Sequence, residues 1–122
     1  MLEFKHGELS KAIIGAFYQV YNQLGYGFLE RVYENALRHE LQKQGYDVVS
    51  QVPIRVTYDG VIVGKFFADL LVNEKIILEL KAVESITDGH KAQLVNYLKA
   101  TGIEVGLLLN FGPKAEIVRK VN

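Results

Sequence analysis

At 122 residues the chain has the length of one domain, and a chain of that size buries about two thirds of its unfolded surface around a single core. With 49% hydrophobic residues, 23% charged residues and two prolines, its composition excludes a disordered or fibrous chain. Fourteen Lys and Arg balance fourteen Asp and Glu, so no overall field draws in a polyanion, and the lack of cysteine excludes disulfides, thiol catalysis and thiolate metal sites.

A single domain over residues 1–122 is therefore expected. The opening stretch "MLEFKHGELSKAIIGAF" carries acids and a helical pattern where a signal peptide has a basic end followed by an apolar block. The apolar runs are too short to cross a bilayer, so the expectation is a cytoplasmic protein without a membrane partner. Ile13, Ile14, Phe17, Val20, Tyr21 and Leu24 recur at three- and four-residue intervals, which predicts an amphipathic helix over 8–24, broken by Gly25 and Gly27. A second helix follows, with Leu29, Val32, Tyr33, Ala36, Leu37 and Leu41 inward and Gly45 at its C-terminal cap.

From Val48 the period becomes that of strands: "VVSQVPIRVTY", an Asp59-Gly60 turn, "VIVGKFFADLLV", a break at Asn73-Glu74, and "KIILELKAV". Thr87 or Asp88 caps a third helix that buries Leu94, Tyr97 and Leu98 and ends at Gly102. "IEVGLLLNF" reads as a buried strand and "AEIVRKV" as an edge strand, which offers a route to a homodimer. The order is ααβββαββ. A strand, a crossover helix and a strand make a parallel connection, so the fold class is α/β, a mixed sheet with helices on its faces.

Three charges interrupt this apolar pattern: Asp69 in "FFADLL", and Glu79 and Lys81 in "IILELK". Alternation along a strand puts Glu79 and Lys81 on one face and Ile76, Leu78 and Leu80 on the other. A two-residue turn at Asn73-Glu74 would pair Asp69 with Leu78; a three-residue turn or a bulge pairs it with Glu79, and the second register is the expected one. Two facing carboxylates repel unless one is protonated, Lys81 lies between them, or a divalent cation binds. The plain alternative is a cross-strand ion-pair cluster. Glu30 is expected to point inward with Tyr33 and Leu37, or else only to interact with the N-terminal dipole of its helix. Gln93 and Tyr97 form an i, i+4 pair at the margin of the third helix, with His90 read as a supporting residue and not a ligand.

Asp69 followed by Glu79-Leu80-Lys81 resembles the D...(D/E)xK signature of the PD-(D/E)XK nuclease superfamily, on the second and third strands of the order that its restriction-endonuclease-like core requires. "GFLERVY", with Gly27, Glu30 and Tyr33, resembles the motif of the GxxExxY family, and "QLVNY" resembles the QxxxY element of the RecB-like and phage exonuclease branch. Ala68 stands where the superfamily name has proline. The resemblance implies a site holding Mg²⁺ or Mn²⁺ through Asp69, Glu79, the Leu80 carbonyl and Glu30. Lys81 would lie near the attacking water, Gln93 would orient the site or touch the backbone, and DNA would be the substrate.

The chemistry agrees, because a hard cation relieves the repulsion between an anionic nucleophile and an anionic phosphodiester. Lys81 then serves as base or, held charged by the neighbouring acids, stabilises the transition state. A binding module that keeps the fold without catalysis is the alternative function, and an interaction protein built on exposed aromatics is a third. "GYGFLE" lacks the preceding strand and following lysine of a phosphate loop, and Ser10, Ser50 and Ser85 sit in no nucleophile elbow.

Overall fold

The structure, a computed structural model, describes residues 5–122. Eight elements follow in the expected order: α1 (Gly7–Leu24), α2 (Glu30–Lys43), β1 (Val48–Tyr58), β2 (Val61–Val72), β3 (Ile76–Lys81), α3 (Asp88–Thr101), β4 (Val105–Phe111) and β5 (Ala115–Val121). The strands lie side by side as β1-β2-β3-β4-β5, antiparallel except for the β3–β4 pair, which α3 connects in parallel.

Each face of the sheet has its own core. Ile13, Phe17, Tyr33, Leu37 and Leu41 from α1 and α2 cover Leu70, Leu78, Leu80, Leu107 and Leu109. On the other face Leu94, Tyr97 and Leu98 from α3 cover Ile54, Ile77 and Leu108. Consecutive residues of β3 and β4 thus enter opposite cores, which is why both strands are apolar apart from Glu79, Lys81 and Asn110. No described helix is long and apolar enough to cross a membrane.

Boundaries differ from expectation where side chains intervene. β4 starts at Val105 and not at Ile103, because the Ile103 N–H donates to the Thr101 hydroxyl at the end of α3. β3 ends at Lys81, since Val83 leaves the ladder to bond the Asn110 side chain. Leu29 is 80% exposed and Val32 38%, so neither belongs to the inner face of α2. Tyr33 instead explains that region: its hydroxyl donates to the Gly25 carbonyl at 2.7 Å and accepts from the Phe28 N–H, while its ring stacks on Phe111. The loop it pins needs Gly27 at φ 112°, a conformation that a side chain would strain.

The β1–β2 hairpin is longer than its support. β2 pairs with β3 only through Leu70↔Leu78, Leu71↔Ile77 and Val72↔Ile76, whereas its pairing with β1 runs on to Tyr58↔Val61. Beyond Asp69 the two strands continue as an arm, and the sheet forks there.

Candidate active site

The fork is where the charged residues meet. A three-residue connection, Asn73 to Lys75, joins Val72 to its partner Ile76, and the same register sets Asp69 opposite Glu79 as expected. Backbone pairing stops one residue short of them, and their carboxylates take over its hydrogen bonds. The Leu80 N–H donates to Asp69 Oδ2 at 2.8 Å, and the Asp69 N–H donates to Glu79 Oε1 at 3.3 Å. A residue in a strand sends its N–H and C=O toward the same neighbour, so the Leu80 carbonyl also faces the gap holding the Asp69 carboxylate.

Glu79 is 6% exposed. Burial first, and the Asp69 charge second, push its carboxyl up to about 8; the Asp69 N–H and the Lys81 charge pull the other way without winning. The ion pairs among the described residues are Lys5–Glu104 and Lys43–Glu40, so no lysine or arginine lies within salt-bridge distance of either acid. Lys81 acts on Glu79 from farther off, on the same side of β3.

α3 contributes from above. Tyr97 is raised by its burial and then by the charges of Glu79 and Asp69, and its hydroxyl accepts from Gln93 Nε2 at 3.1 Å. Tyr97, part of the core under α3, thus lies within electrostatic reach of both acids, with Gln93 bonded to it. His90 has a different duty: its Nδ1 accepts from the Thr87 N–H and the Thr87 hydroxyl accepts from the His90 N–H, a reciprocal cap at the start of α3.

Glu30 is not brought to this place. It is exposed at the first position of α2, behind a loop whose Tyr26, Phe28 and Leu29 are themselves exposed. Among the described residues no three His, Asp or Glu side chains gather into a metal-binding group. Of the two buried acids of α2, Glu40 pairs with Lys43 near the far end, while Glu34, one turn after Glu30, accepts from Gln51 Nε2 through its Oε1 at 2.9 Å. Gln51 stands opposite Asp69, between the pairs Ser50↔Leu70 and Val52↔Ala68, and that rung is skipped. Its φ of 55° turns it out of strand geometry. Pairing therefore lapses on both sides of Asp69.

Asn110 is a further residue of the site that sequence reasoning missed. It is fully buried in register with Lys81, accepts from the Val83 and Gly112 N–H groups, and donates to the Val83 carbonyl and Glu116. It fixes the chain just past Lys81. Its signal was present in "GLLLNFG", one amide in an otherwise apolar strand.

Against known proteins, the model of the PD-(D/E)XK nuclease superfamily matches residues 7–121. Among solved structures, that of the protein SSO0001 aligns with a TM-score of 0.58 at 21% identity, covering 75% of this chain and 50% of that one. This chain thus spans about half the length of SSO0001, and the likeness is one of fold. Hjc of Archaeoglobus fulgidus, a Holliday junction resolvase from an archaeal hyperthermophile, aligns with a TM-score of 0.43 at 20% identity, covering 73% of this chain and 72% of that one. No curated protein matches significantly.

Proposed function

The chain belongs to the PD-(D/E)XK nuclease superfamily, with the restriction-endonuclease-like mixed sheet, and from that premise we propose that it is a divalent-metal-dependent nuclease hydrolysing phosphodiester bonds of DNA. The observation that carries the reading is the placement of Asp69 opposite Glu79 at the fork, with neither acid in an ion pair. Two close carboxylates and a carbonyl form an all-oxygen donor set, which suits a hard cation such as Mg²⁺ or Mn²⁺. Asp69, Glu79 and the Leu80 carbonyl would hold it, without Glu30. A cation bound there would supply polarisation of a phosphate oxygen and a lowered pKa of bound water.

The chain's own groups do the rest. Burial and the Asp69 charge favour the protonated form of Glu79 at neutral pH, and Glu79 would have to release that proton to serve as a ligand. Lys81 places positive charge where the phosphate accumulates negative charge in the transition state. Gln93 fixes the Tyr97 hydroxyl, and Tyr97, with its proton more firmly held by burial and the two acids, stays a neutral donor beside the scissile group. Asn110 keeps the Lys81 segment from shifting. The finer placement in the GxxExxY family and the RecB-like branch rests on "GFLERVY" and "QLVNY". Tyr33 and Gly27 of the first motif serve the α1–α2 loop.

The test is cleavage of linear, nicked and single-stranded DNA in Mg²⁺, Mn²⁺ or chelator. Metal-dependent products that vanish in Asp69→Ala and Lys81→Ala support the reading. Absent products, or products undiminished in both variants, leave only a binding module with a nuclease fold.

A further inference from the structure

A trough of about 750 Å³ runs between the β1–β2 arm and α3 and reaches the candidate site at Gln93 and Tyr97. Its charge is one-sided. Arg55 from the arm and Lys99 from α3 line it with no acidic residue among the lining, in a chain whose formal charges cancel. Gln93, Asn96 and Lys99 follow one another at three-residue steps along the wall formed by α3, and Gly89, Ala92 and Ala100 leave room between them.

The opposite wall offers a ring. Phe66 is 43% exposed on a part of β2 that has lost its β3 neighbour, with its centroid 5.8 Å from that of Tyr97. An aromatic face, amide groups and cations without acids make up the chemistry that grips a single polynucleotide strand: rings stack on bases, amides meet base edges and cations meet phosphates. A duplex keeps its base faces inside the stack and would meet Phe66 only after unpairing. Building on the nuclease reading of the neighbouring acids, we infer that this trough holds single-stranded DNA in preference to duplex and leads it toward Asp69 and Glu79.

The experiment uses the full chain in chelator, so that nothing is cut, with a dye-labelled oligonucleotide of mixed sequence, single-stranded or annealed to its complement, followed by fluorescence anisotropy over a salt series. The single strand is expected to bind about tenfold or more tightly than the duplex. Phe66→Ala weakens it by about tenfold, the loss of one base–ring stack, without changing the salt slope, and Phe66→Tyr restores it. Arg55→Ala with Lys99→Ala lowers the slope of log K against log salt by about 1.4, two phosphate contacts on a single strand. Both positions are exposed, so melting temperature stays near wild type. Equal affinity for duplex, or affinity for the single strand unmoved by both sets of substitutions, overturns the inference. Cleavage assayed separately in Mn²⁺ tells the two readings apart. Binding as described without cleavage keeps the trough and removes the nuclease, whereas cleavage without strand preference keeps the nuclease and overturns the trough.

Discussion

Asp69 and Glu79 are each held by a main-chain N–H across the gap between β2 and β3, Asp69 by that of Leu80 and Glu79 by that of Asp69 itself. Those bonds keep two carboxyl groups together where the strands have stopped pairing, and the two repel once Glu79 ionises. The arrangement costs stability when no cation is present, and a measurement of stability exposes that cost.

Asp69→Asn keeps an oxygen for the Leu80 N–H and removes the repulsion on Glu79. The metal-free variant should melt a few degrees above wild type at pH 8, by differential scanning calorimetry, while losing cleavage. Asp69→Ala relieves the same repulsion but leaves the Leu80 N–H, on a residue 1% exposed, without its acceptor. It should be less stable than Asp69→Asn by about 1–2 kcal/mol.

The raised Glu79 carboxyl links folding to pH. Its folded value near 8 lies above the ordinary 4.5, so the native chain holds a proton that the unfolded chain gives up. The stability from this group is fully present below about pH 4.5 and is lost as pH rises through about 8. Metal-free wild type should therefore lose on the order of a few kcal/mol between about pH 5 and pH 9. Glu79→Gln should flatten that part of the profile in denaturant titrations.

Asn110 makes its four bonds in full burial, and Asn110→Leu strands the Val83 and Gly112 N–H groups. A loss of about 2–4 kcal/mol is expected. Because the loosened segment begins just past Lys81, kcat should fall by more than KM changes. Gly112 is equally constrained: a Cβ there would sit 1.8 Å from the Val83 carbonyl oxygen, so Gly112→Ala must displace the same segment.

The element order, the parallel crossover and the pairing of Asp69 with Glu79 were readable in the sequence, because period and turn length decide them. The helix acid was not. Glu30 and Glu34 lie one turn apart, and which is covered depends on where the α1–α2 loop leaves the helix exposed, a tertiary matter. Gln51 gave no signal either, since its left-handed backbone exists only because β1 and β2 skip a rung beside Asp69. Asn110 was visible as an interruption of the kind that singled out Asp69, but two of its four bonds go to Val83, 27 residues away, and one to Glu116 beyond the turn, which only the tertiary fold brings near.

On the proposed reading, Asp69 and Glu79 together would hold one divalent cation. Calorimetric titration of Mn²⁺ into wild type, Asp69→Asn and Glu79→Gln, repeated in buffers of different ionisation enthalpy, tests it without any need for turnover. One site in wild type, with close to one proton released at pH 7 and almost none above about pH 9, and no site in either variant, is the expected result. Mn²⁺ bound equally well by all three proteins, or by none of them, contradicts it.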